Sequence, residues 1–465
     1  MRNVSTNEVC FDQELIKRYD GRGPRYTSYP TALQFDEKFS TDDYRRHARA
    51  SNTSDRPLSL YVHIPFCKTL CYYCACNKIV THNAERVQKY MRHLGQEIDM
   101  QAELFDRDRK VEQLHFGGGT PTYLNASELR TLMSHLGSAF NFETGDVREF
   151  SIEVDPRTVD SDMMAVLADL GFNRLSLGIQ DFDANVQAAV NRIQSADDVH
   201  GLVRDARDNH FKSVSFDLIY GLPHQSVSTF NQTLDTALKM RPDRLAIYNY
   251  AHLPDRFKGQ RMINEADIPK PQTKLEILHH TIDKLAASEY VYIGMDHFAL
   301  PDDDLVKAQQ NGTLQRNFQG YSTHGDCDLI GLGVSAIGGI GNVFSQNTTS
   351  TIEYEEILGE GRLPVKRGIE VDEDDLVRAD VIKRLMCYDR LDFGDFGDTH
   401  NIDFSQYFDD ELKRLEPLAN DDLIKLSDRE IAITPKGRLL LRSIAMVFDR
   451  HLSQAENDGR FSKAI

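Results

Sequence analysis

The sequence predicts an α/β fold, a parallel β-sheet either open or rolled into a barrel, with a smaller, mostly helical domain after it. Three observations point there. Strand-like and helix-like segments alternate from residue 58 to residue 295, roughly once per 30–40 residues, which is the rhythm of βαβ units. The cysteine and glycine motifs fall at or just past the C-terminal ends of the strand-like segments, where parallel α/β folds assemble their sites. The alternation stops near residue 370, where helical patterns lead into a hairpin.

Residues 1–56 read as an N-terminal arm. They are polar, with one helical stretch at 11–19, and Gly21, Gly23, Pro24 and Pro30 exclude a long helix or a central strand. Residues 57–300 read as the barrel. Leu58-Ser-Leu60-Tyr-Val62-His-Ile64 alternates with period two. Val87, Met91, Leu94 and Ile98 then recur at helical spacing. Strands are expected at 111–116, 150–154, 174–179, 213–219 and 244–250, with a short one at 290–295. Helices are expected at 126–140, 159–170, 197–209, 228–240 and 274–287. Residues 301–369 read as a connecting segment at the active site. Its stretch Gly331-Leu-Gly-Val-Ser-Ala-Ile337-Gly-Gly-Ile-Gly341 is expected to be an irregular functional loop. Residues 370–465 read as a C-terminal domain with helices at 374–387, 407–415 and 439–452 and a hairpin at 423–434. This is a winged-helix-like pattern.

Bulk properties exclude several classes. The chain has 465 residues, 40% of them hydrophobic, and no run approaches the roughly eighteen apolar residues that a membrane span needs. The first residues lack the apolar stretch of a secretory signal, so a cytoplasmic protein is expected. A formal charge of −18 argues against general binding to nucleic acid or to anionic membranes. Cys67, Cys71, Cys74 and Cys76 crowd together, whereas Cys10, Cys327 and Cys387 are scattered. An odd count without a secretory signal speaks for a metal site rather than a disulfide framework.

Thiolates suit either iron–sulfur clusters or zinc. Zinc favours two Cys-x2-Cys pairs, and no second pair follows. Three cysteines spaced x3 and x2 can hold three irons of a cubane and leave the fourth open to a small chelating ligand. The run Cys67-Lys-Thr-Leu-Cys71-Tyr-Tyr73-Cys74, with an aromatic residue before its last cysteine and just after a first strand, is the signature of radical S-adenosylmethionine enzymes. Phe116-Gly-Gly118-Gly119-Thr120-Pro121 ends the second strand, and glycines there let backbone approach a ligand closely.

The likeness goes further. Tyr61-Val-His63-Ile-Pro-Phe-Cys67, Cys74-Ala-Cys76-Asn77, Gly118-Gly-Thr-Pro-Thr122 and Pro24-Arg-Tyr-Thr-Ser-Tyr-Pro-Thr31 resemble the oxygen-independent coproporphyrinogen III oxidase family. So do Ser151-Ile-Glu153-Val-Asp155-Pro, Gly178-Ile-Gln180-Asp181-Phe, Phe216-Asp217-Leu-Ile-Tyr-Gly-Leu-Pro223, Asn249-Tyr-Ala251-His-Leu-Pro and Gly294-Met-Asp-His-Phe298. The resemblance spans nearly the whole chain. It implies an incomplete parallel (β/α)6-type radical SAM barrel with an N-terminal arm and a C-terminal helical domain, one [4Fe-4S] cluster and two S-adenosyl-L-methionine molecules.

By that resemblance Cys67, Cys71 and Cys74 hold the cluster. Tyr61, Gly118, Glu153 and Ile337 contact the first S-adenosylmethionine. Tyr73, Gly119, Thr120, Gln180, Arg192, Asp217 and Ala251 contact the second. The family often has Phe where Tyr73 stands, and the ring is retained. His63 lies near the cluster, and Cys76 is a non-ligand. The implied reaction turns two propionates of coproporphyrinogen III into vinyl groups, giving protoporphyrinogen IX, by hydrogen abstraction from the propionate β-carbon. Arg22, Arg25 and Lys78 are candidate cations for the substrate carboxylates. A low-potential donor such as flavodoxin or ferredoxin, an electron acceptor that the sequence does not name, and a monomeric state complete the expectations. Two competing readings are a haem-delivery relative without decarboxylase activity, whose kind typically lacks Cys76 and the Pro24-Arg-Tyr-Thr arm, and a zinc-stabilised DNA-binding regulator.

Overall fold

In the computed structural model, residues 9–19 and 21–452 are described. The chain divides into two compact units, neither continuous in sequence. One comprises Phe35–Lys270 and Asp326–Val371; the other comprises Met1–Gln34, Pro271–Gly325 and Asp372–Ile465.

The first unit is built on β1 (Leu58–Ile64), β2 (Lys110–Gly118), β3 (Glu149–Val154), β4 (Arg174–Gln180), β5 (Ser213–Tyr220) and β6 (Arg244–Asn249). Each pairs in parallel with the next in sequence. Such a consecutive order, joined by crossovers of one hand, keeps the connecting helices on one face of the sheet and leaves the other face to curl inward. The helices are α1 (Thr41–Ala50), α2 (Ala84–Ala102), α3 (Ala126–Ala139), α4 (Ser161–Asp169), α5 (Ala196–Asp208) and α6 (Val227–Met240). Each starts where a polar side chain accepts from the first-turn backbone. Ser40 with Asp43, Asn125 with Glu128 and Ser226 with Thr229 form full capping boxes, and Asn83, Asp160 and Ser195 cap singly.

Strand periodicity sorts the residues. On β5, Val214, Phe216, Leu218 and Tyr220 are buried, whereas Ser215, Asp217 and Ile219 alternate with them and are half-buried. The same alternation leaves Ser151 and Glu153 on β3, and Ser176, Gly178 and Gln180 on β4, less buried than their neighbours. Period two therefore assigns the apolar set to the core and the polar set to the opposite face.

Beyond β1 the structure departs from the sequence reading. The glycine-rich stretch is not irregular; it forms β7 (Asp328–Leu332), β8 (Ile337–Ile340) and β9 (Val343–Asn347). β7 pairs with β1 in parallel. β8, β9 and β10 (Val365–Glu370) follow antiparallel, closing with α7 (Thr351–Gly359) between β9 and β10. The glycines are there for approach. A Cβ on Gly331 would lie 2.8 Å from the Ile337 carbonyl, and one on Gly338 would lie 2.8 Å from the Leu329 oxygen. Gly331 on β7 and Gly338 and Gly339 on β8 interrupt the side-chain period, so the pattern that reveals the other strands is missing there.

In the second unit, Tyr26 and Tyr29 are buried in one core with Leu385, Phe396, Phe404, Phe408 and Phe448. The Tyr26 hydroxyl donates to Asp449 at 2.9 Å. The hairpin expected at 423–434 is present as Ile424–Leu426 and Glu430–Ile433, joined by Arg390–Asp392 into a three-stranded antiparallel sheet. The expected helix at 439–452 is broken. A short α-helix, Leu441–Ala445, lies between 3-10 turns at Gly437–Leu440 and Met446–Phe448. Tertiary bonds override helical propensity there: buried Arg442 donates to the Gly23 and Pro24 carbonyls, and Asp449 leaves the helix to meet Tyr26. The strand expected at 290–295 is Val291–Gly294, and it forms an antiparallel hairpin with His297–Ala299.

A buried carboxyl braces the first unit. Glu97 on α2 accepts from the Gly333 N–H at 2.7 Å, the Tyr354 hydroxyl at 2.6 Å and the Asn347 amide at 2.7 Å. Burial pushes its pKa up to about 7 against the opposing pull of those donors. A raised folded pKa means that its stabilising share is complete below about 4.5 and is lost as pH rises through about 7. Glu97→Gln, which does not ionise, should gain on the wild-type chain across that window by up to about 3 kcal/mol. Urea unfolding of both chains at pH 5 and pH 7.5 checks this, and an unchanged difference counts against it.

Candidate active site

The loop between β1 and β2 carries the cysteines, and backbone pins both its ends. The Gly119 N–H at the end of β2 donates to the Ile64 oxygen at 2.9 Å, the Ile79 N–H to the Pro65 oxygen at 2.7 Å, and the Thr81 N–H to the Cys67 oxygen at 3.1 Å. Phe66–Cys67 and Ile79–Val80 pair as a short parallel ribbon, so the segment between them is drawn into a closed loop. Within it the Cys74 N–H meets the Cys71 oxygen at 3.2 Å, and Lys78 Nζ donates to the Cys74 oxygen at 3.0 Å.

Cys67, Cys71, Cys74 and Cys76 all line one cavity of about 460 Å³. The Thr120 hydroxyl donates to Cys67 Sγ at 3.6 Å. Arg157 and Arg192 point guanidinium N–H groups at Cys71 Sγ, at 3.4 and 3.5 Å. The Cys76 S–H donates to Cys74, which holds the Cys74 pKa down, with Lys78 adding to the effect; the same bond holds Cys76 up. Burial pushes Cys67 up to about 11, and a bound metal reverses such a rise by taking the thiolate directly. Among the described residues no three Cys, His, Asp or Glu side chains converge as ligands of a single ion. The four thiols line one cavity, and thiolates are the soft donors that an iron–sulfur cluster takes.

The cavity has two walls. Asp155 at the end of β3 pairs with Arg157 at 2.7 Å and with Arg192 at 3.1 Å; burial opposes its charge, but the two guanidinium groups win and hold its pKa low. Arg192 also donates to the Gly178 oxygen, and its buried Nε has no partner among the described residues. Opposite, Glu153 accepts from the Gly118 N–H at 3.2 Å and lies 3.4 Å from His115 Nε2. Asp217 accepts from Ser176 at 2.9 Å, and burial, reinforced by the Glu153 charge, pushes it up to about 7. The glycine turn is tight on every side. Gly118 has φ +117°, and a Cβ there would sit 2.8 Å from the His63 ring; one on Gly119 would sit 2.6 Å from the Pro65 oxygen.

Eleven residues singled out from sequence meet here: Cys67, Cys71, Tyr73, Cys74, Gly118, Gly119, Thr120, Glu153, Gln180, Arg192 and Asp217 all line the cavity. Lys78 does too. Four others do not. Tyr61 and His63 stand beside it, with the Tyr61 hydroxyl 3.1 Å from His63 Nδ1 and His63 Nε2 3.0 Å from the Asn77 oxygen. Burial lowers the His63 pKa. Ile337 sits on β8, next to Gly331, the register partner of Tyr61. Ala251 is exposed beyond β6; its carbonyl accepts at 3.2 Å from Gln260, which also donates to the Tyr73 carbonyl at 3.0 Å. Arg22 and Arg25 belong to the other unit, where Arg25 pairs with Asp296.

Sequence reasoning missed Arg157, Ser176, His115 and Tyr248. Three of the four line the cavity, and His115 stands behind it against Glu153. A signal existed for two of them. Ser176 lies two residues before Gly178, and His115 lies two before Gly117, so strand alternation places each on the face of its neighbour.

Comparison with known proteins agrees with this geometry. The family model described as the Radical SAM superfamily matches residues 61–237, and the HemN C-terminal domain model matches residues 371–440. The partial barrel with its cysteine cavity is therefore a radical SAM fold. The chain is 51% identical over 457 residues to the oxygen-independent coproporphyrinogen III oxidase of Pseudomonas aeruginosa, covering 98% of this chain and 99% of that one. It is 47% identical to the Escherichia coli protein of that name, covering 99% and 100%. The solved structure of coproporphyrinogen III oxidase (HemN) from Escherichia coli, described as a radical SAM enzyme, superposes with TM-score 0.90 over 96% of this chain and 100% of that one, at 47% identity. The chain belongs to the oxygen-independent coproporphyrinogen III oxidase family.

The Gly119 contact gives a direct test of the site. Both atoms nearest to its missing Cβ, the Pro65 oxygen at 2.6 Å and the Pro65 carbonyl carbon at 2.7 Å, are backbone and cannot swing aside. Gly119→Ala should cost about 1–3 kcal/mol and lower the iron retained per chain, as read by thermal unfolding and metal analysis under anaerobic purification. Full iron and unchanged stability would show that the loop does not depend on this approach.

Proposed function

We propose that the chain carries out, without oxygen, the oxidative decarboxylation of two propionates of coproporphyrinogen III to vinyl groups, giving protoporphyrinogen IX for haem biosynthesis. The observation that carries the reading is the cavity itself: three thiols on a loop pinned between the C-terminal ends of β1 and β2, facing carboxylates and a glycine turn from the neighbouring strands. Cys67, Cys71 and Cys74 would hold a [4Fe-4S] cluster there, and with S-adenosylmethionine it would supply the radical chemistry that hydrogen abstraction from the propionate β-carbon requires.

The chain's own groups hold and orient. Cys67, Cys71 and Cys74 are the cluster ligands. Arg157 and Arg192 support Cys71 by charge-assisted N–H···S contacts while Asp155 fixes their orientation. Gly118 and Glu153, with Tyr61 and Ile337 behind them, receive the first S-adenosylmethionine. A donor-accepting carboxylate and an open backbone suit its ammonium group and its ribose. Tyr73, Gly119, Thr120, Gln180, Arg192, Asp217 and Ala251 receive a second molecule, and the unpaired Arg192 Nε supports this by offering a buried donor to a carboxylate. Asp217, with a pKa near 7, exchanges its proton at neutral pH, so it can donate to or accept from a bound polar group. His63 stays neutral and holds Tyr61 and the cysteine loop together through Asn77.

The remaining features follow the same reading. By sequence pattern the chain divides into an arm to residue 56, a barrel to 300, an active-site connection to 369 and a C-terminal domain beyond, whereas the two compact units group residues 35–56 and 326–371 with the barrel strands and 271–325 with the C-terminal segment. The protein works as a cytoplasmic monomer, with flavodoxin or ferredoxin as electron donor and a separate electron acceptor. No helix among the described residues is long and apolar enough to cross a membrane. The haem-delivery alternative is not favoured, since Cys76 and the Pro24-Arg-Tyr-Thr arm are both present and the whole-length relatives carry the oxidase name.

Two measurements test the proposal. Anaerobic incubation with coproporphyrinogen III, S-adenosylmethionine and a reductant should give the divinyl product by mass, with two carbon dioxides lost per tetrapyrrole; tight haem binding with no vinyl product overturns the reading. Separately, Cys71→Ser should lose iron and the brown colour, whereas Cys76→Ser should keep both. Equal iron loss in the two variants would place Cys76 among the ligands.

A further inference from the structure

Outside the cavity, on the far side of the cysteine loop, lies a surface with no part in binding or orienting the cofactors. The 3-10 turn Lys258–Met262 seats directly against that loop. A Cβ on Gly259 would lie 3.5 Å from Leu70 Cδ1 and 3.6 Å from the Tyr72 oxygen, and Gln260 donates to the Tyr73 oxygen at 3.0 Å. From the other flank, Asn191 donates to the Leu70 oxygen at 2.8 Å, and the Tyr72 N–H meets the Val190 oxygen at 3.0 Å. The surface therefore backs onto Leu70, Tyr72 and Tyr73, three of the five residues between the ligating cysteines.

What it exposes is unusual for this chain. Arg256, Lys258 and Arg261 are all exposed, and within residues 253–262 only Asp255 opposes them, in a protein whose formal charge is −18. None of the three cations forms an ion pair among the described residues. Arg256 lies over the Phe257 ring at 5.4 Å, and Arg261 donates to the Pro254 carbonyl at 3.1 Å, so both are held in place rather than neutralised. The nearest paired carboxylate, Glu265, meets His252 at 3.3 Å. Two large apolar side chains of the same run are exposed as well: Met262 is 62% exposed and Leu253 39%. Unpaired charge of one sign with exposed apolar side chains in the same run suits a transient protein interface, in which the charge steers encounter and the apolar groups hold it.

The reaction proposed above needs one electron delivered from outside to the metal behind this loop. We infer that the surface formed by Arg256, Lys258, Arg261 and Met262 is the docking site for an acidic one-electron redox protein that reduces the cluster. The inference rests on the cluster assignment under Proposed function. The donor loses one electron and the cluster gains it; no bond or proton changes hands. Charge complementarity selects the occupant. Against a chain of net charge −18, an acidic protein is repelled everywhere except where cations gather.

The test is the triple reversal Arg256→Glu/Lys258→Glu/Arg261→Glu in the reconstituted holoprotein, with flavodoxin as the probe. Equilibrium binding of flavodoxin should weaken at least about tenfold at low salt. The wild-type chain should lose affinity as salt rises, while the variant should be nearly insensitive to it. Cluster reduction by dithionite, followed by absorbance, should be unchanged, whereas reduction by flavodoxin should slow in step with binding. The milder Lys258→Gln/Arg261→Gln pair should fall between the two and guards against a folding defect in the triple. Wild-type affinity and wild-type flavodoxin reduction in both variants overturn the inference. A wild-type chain that holds no iron and shows no dithionite response instead overturns the cluster assignment, leaving the binding comparison to decide the surface by itself.

Discussion

The site depends on one backbone contact, the Gly119 N–H against the Ile64 carbonyl, made where β2 ends and the cysteine loop begins. That bond holds the glycine turn under the loop, and it exists only because residue 119 has no Cβ. A side chain there would overlap Pro65 backbone, which is itself fixed by the Ile79 N–H. Once the two are locked, the rest is geometry. Cys67 must leave β1 toward the cavity, Thr120 must face its sulfur, and the Gly118 N–H must point at Glu153 on the next strand. A loop of this length free at either end would bring its thiols together only at a large entropic cost.

The parallel sheet extends this local constraint across the unit. In a strand, alternate residues share a face, so a single apolar-polar alternation does two jobs. It packs Phe116, Ile152, Leu177 and Phe216 into the core, and it presents Glu153, Ser176, Gln180 and Asp217 to the cavity without any loop having to carry them. This explains how much the sequence discloses. The six consecutive strands were legible as short apolar runs, of which β3, β4 and β5 alternate cleanly while β6 buries three residues in a row, and beyond the cysteine and glycine motifs the site residues were legible through the family resemblance. Arg157 was not, since it follows a proline on a short 3-10 turn and has no period to announce it. The strands β7 and β8 were illegible because glycine supplies the close approach and interrupts the pattern, whereas β9 alternates without a glycine and is hidden only by lying in the segment that the glycines make look irregular. The break after Ala445 was hidden because its cause, Arg442 and Asp449 bonding to residues 23–26, lies more than 400 positions away in sequence.

Charge is distributed with the same economy. The chain is strongly acidic overall, yet each thiol has a cation or a donor assigned to it: Arg157 and Arg192 for Cys71, Lys78 beside Cys74, the Thr120 hydroxyl for Cys67. Asp155 keeps the two arginines from repelling one another and from escaping to solvent. Facing them, Glu153 and Asp217 share a wall, and burial, with the Glu153 charge adding to it, raises the Asp217 pKa to about 7. The result is a cavity that is positive near sulfur and negative across from it. Were S-adenosylmethionine bound there as proposed, its carboxylate and its cationic nitrogen and sulfur would each find a partner of opposite sign within one cavity, because the strand ends bring the arginines and the carboxylates to the same place.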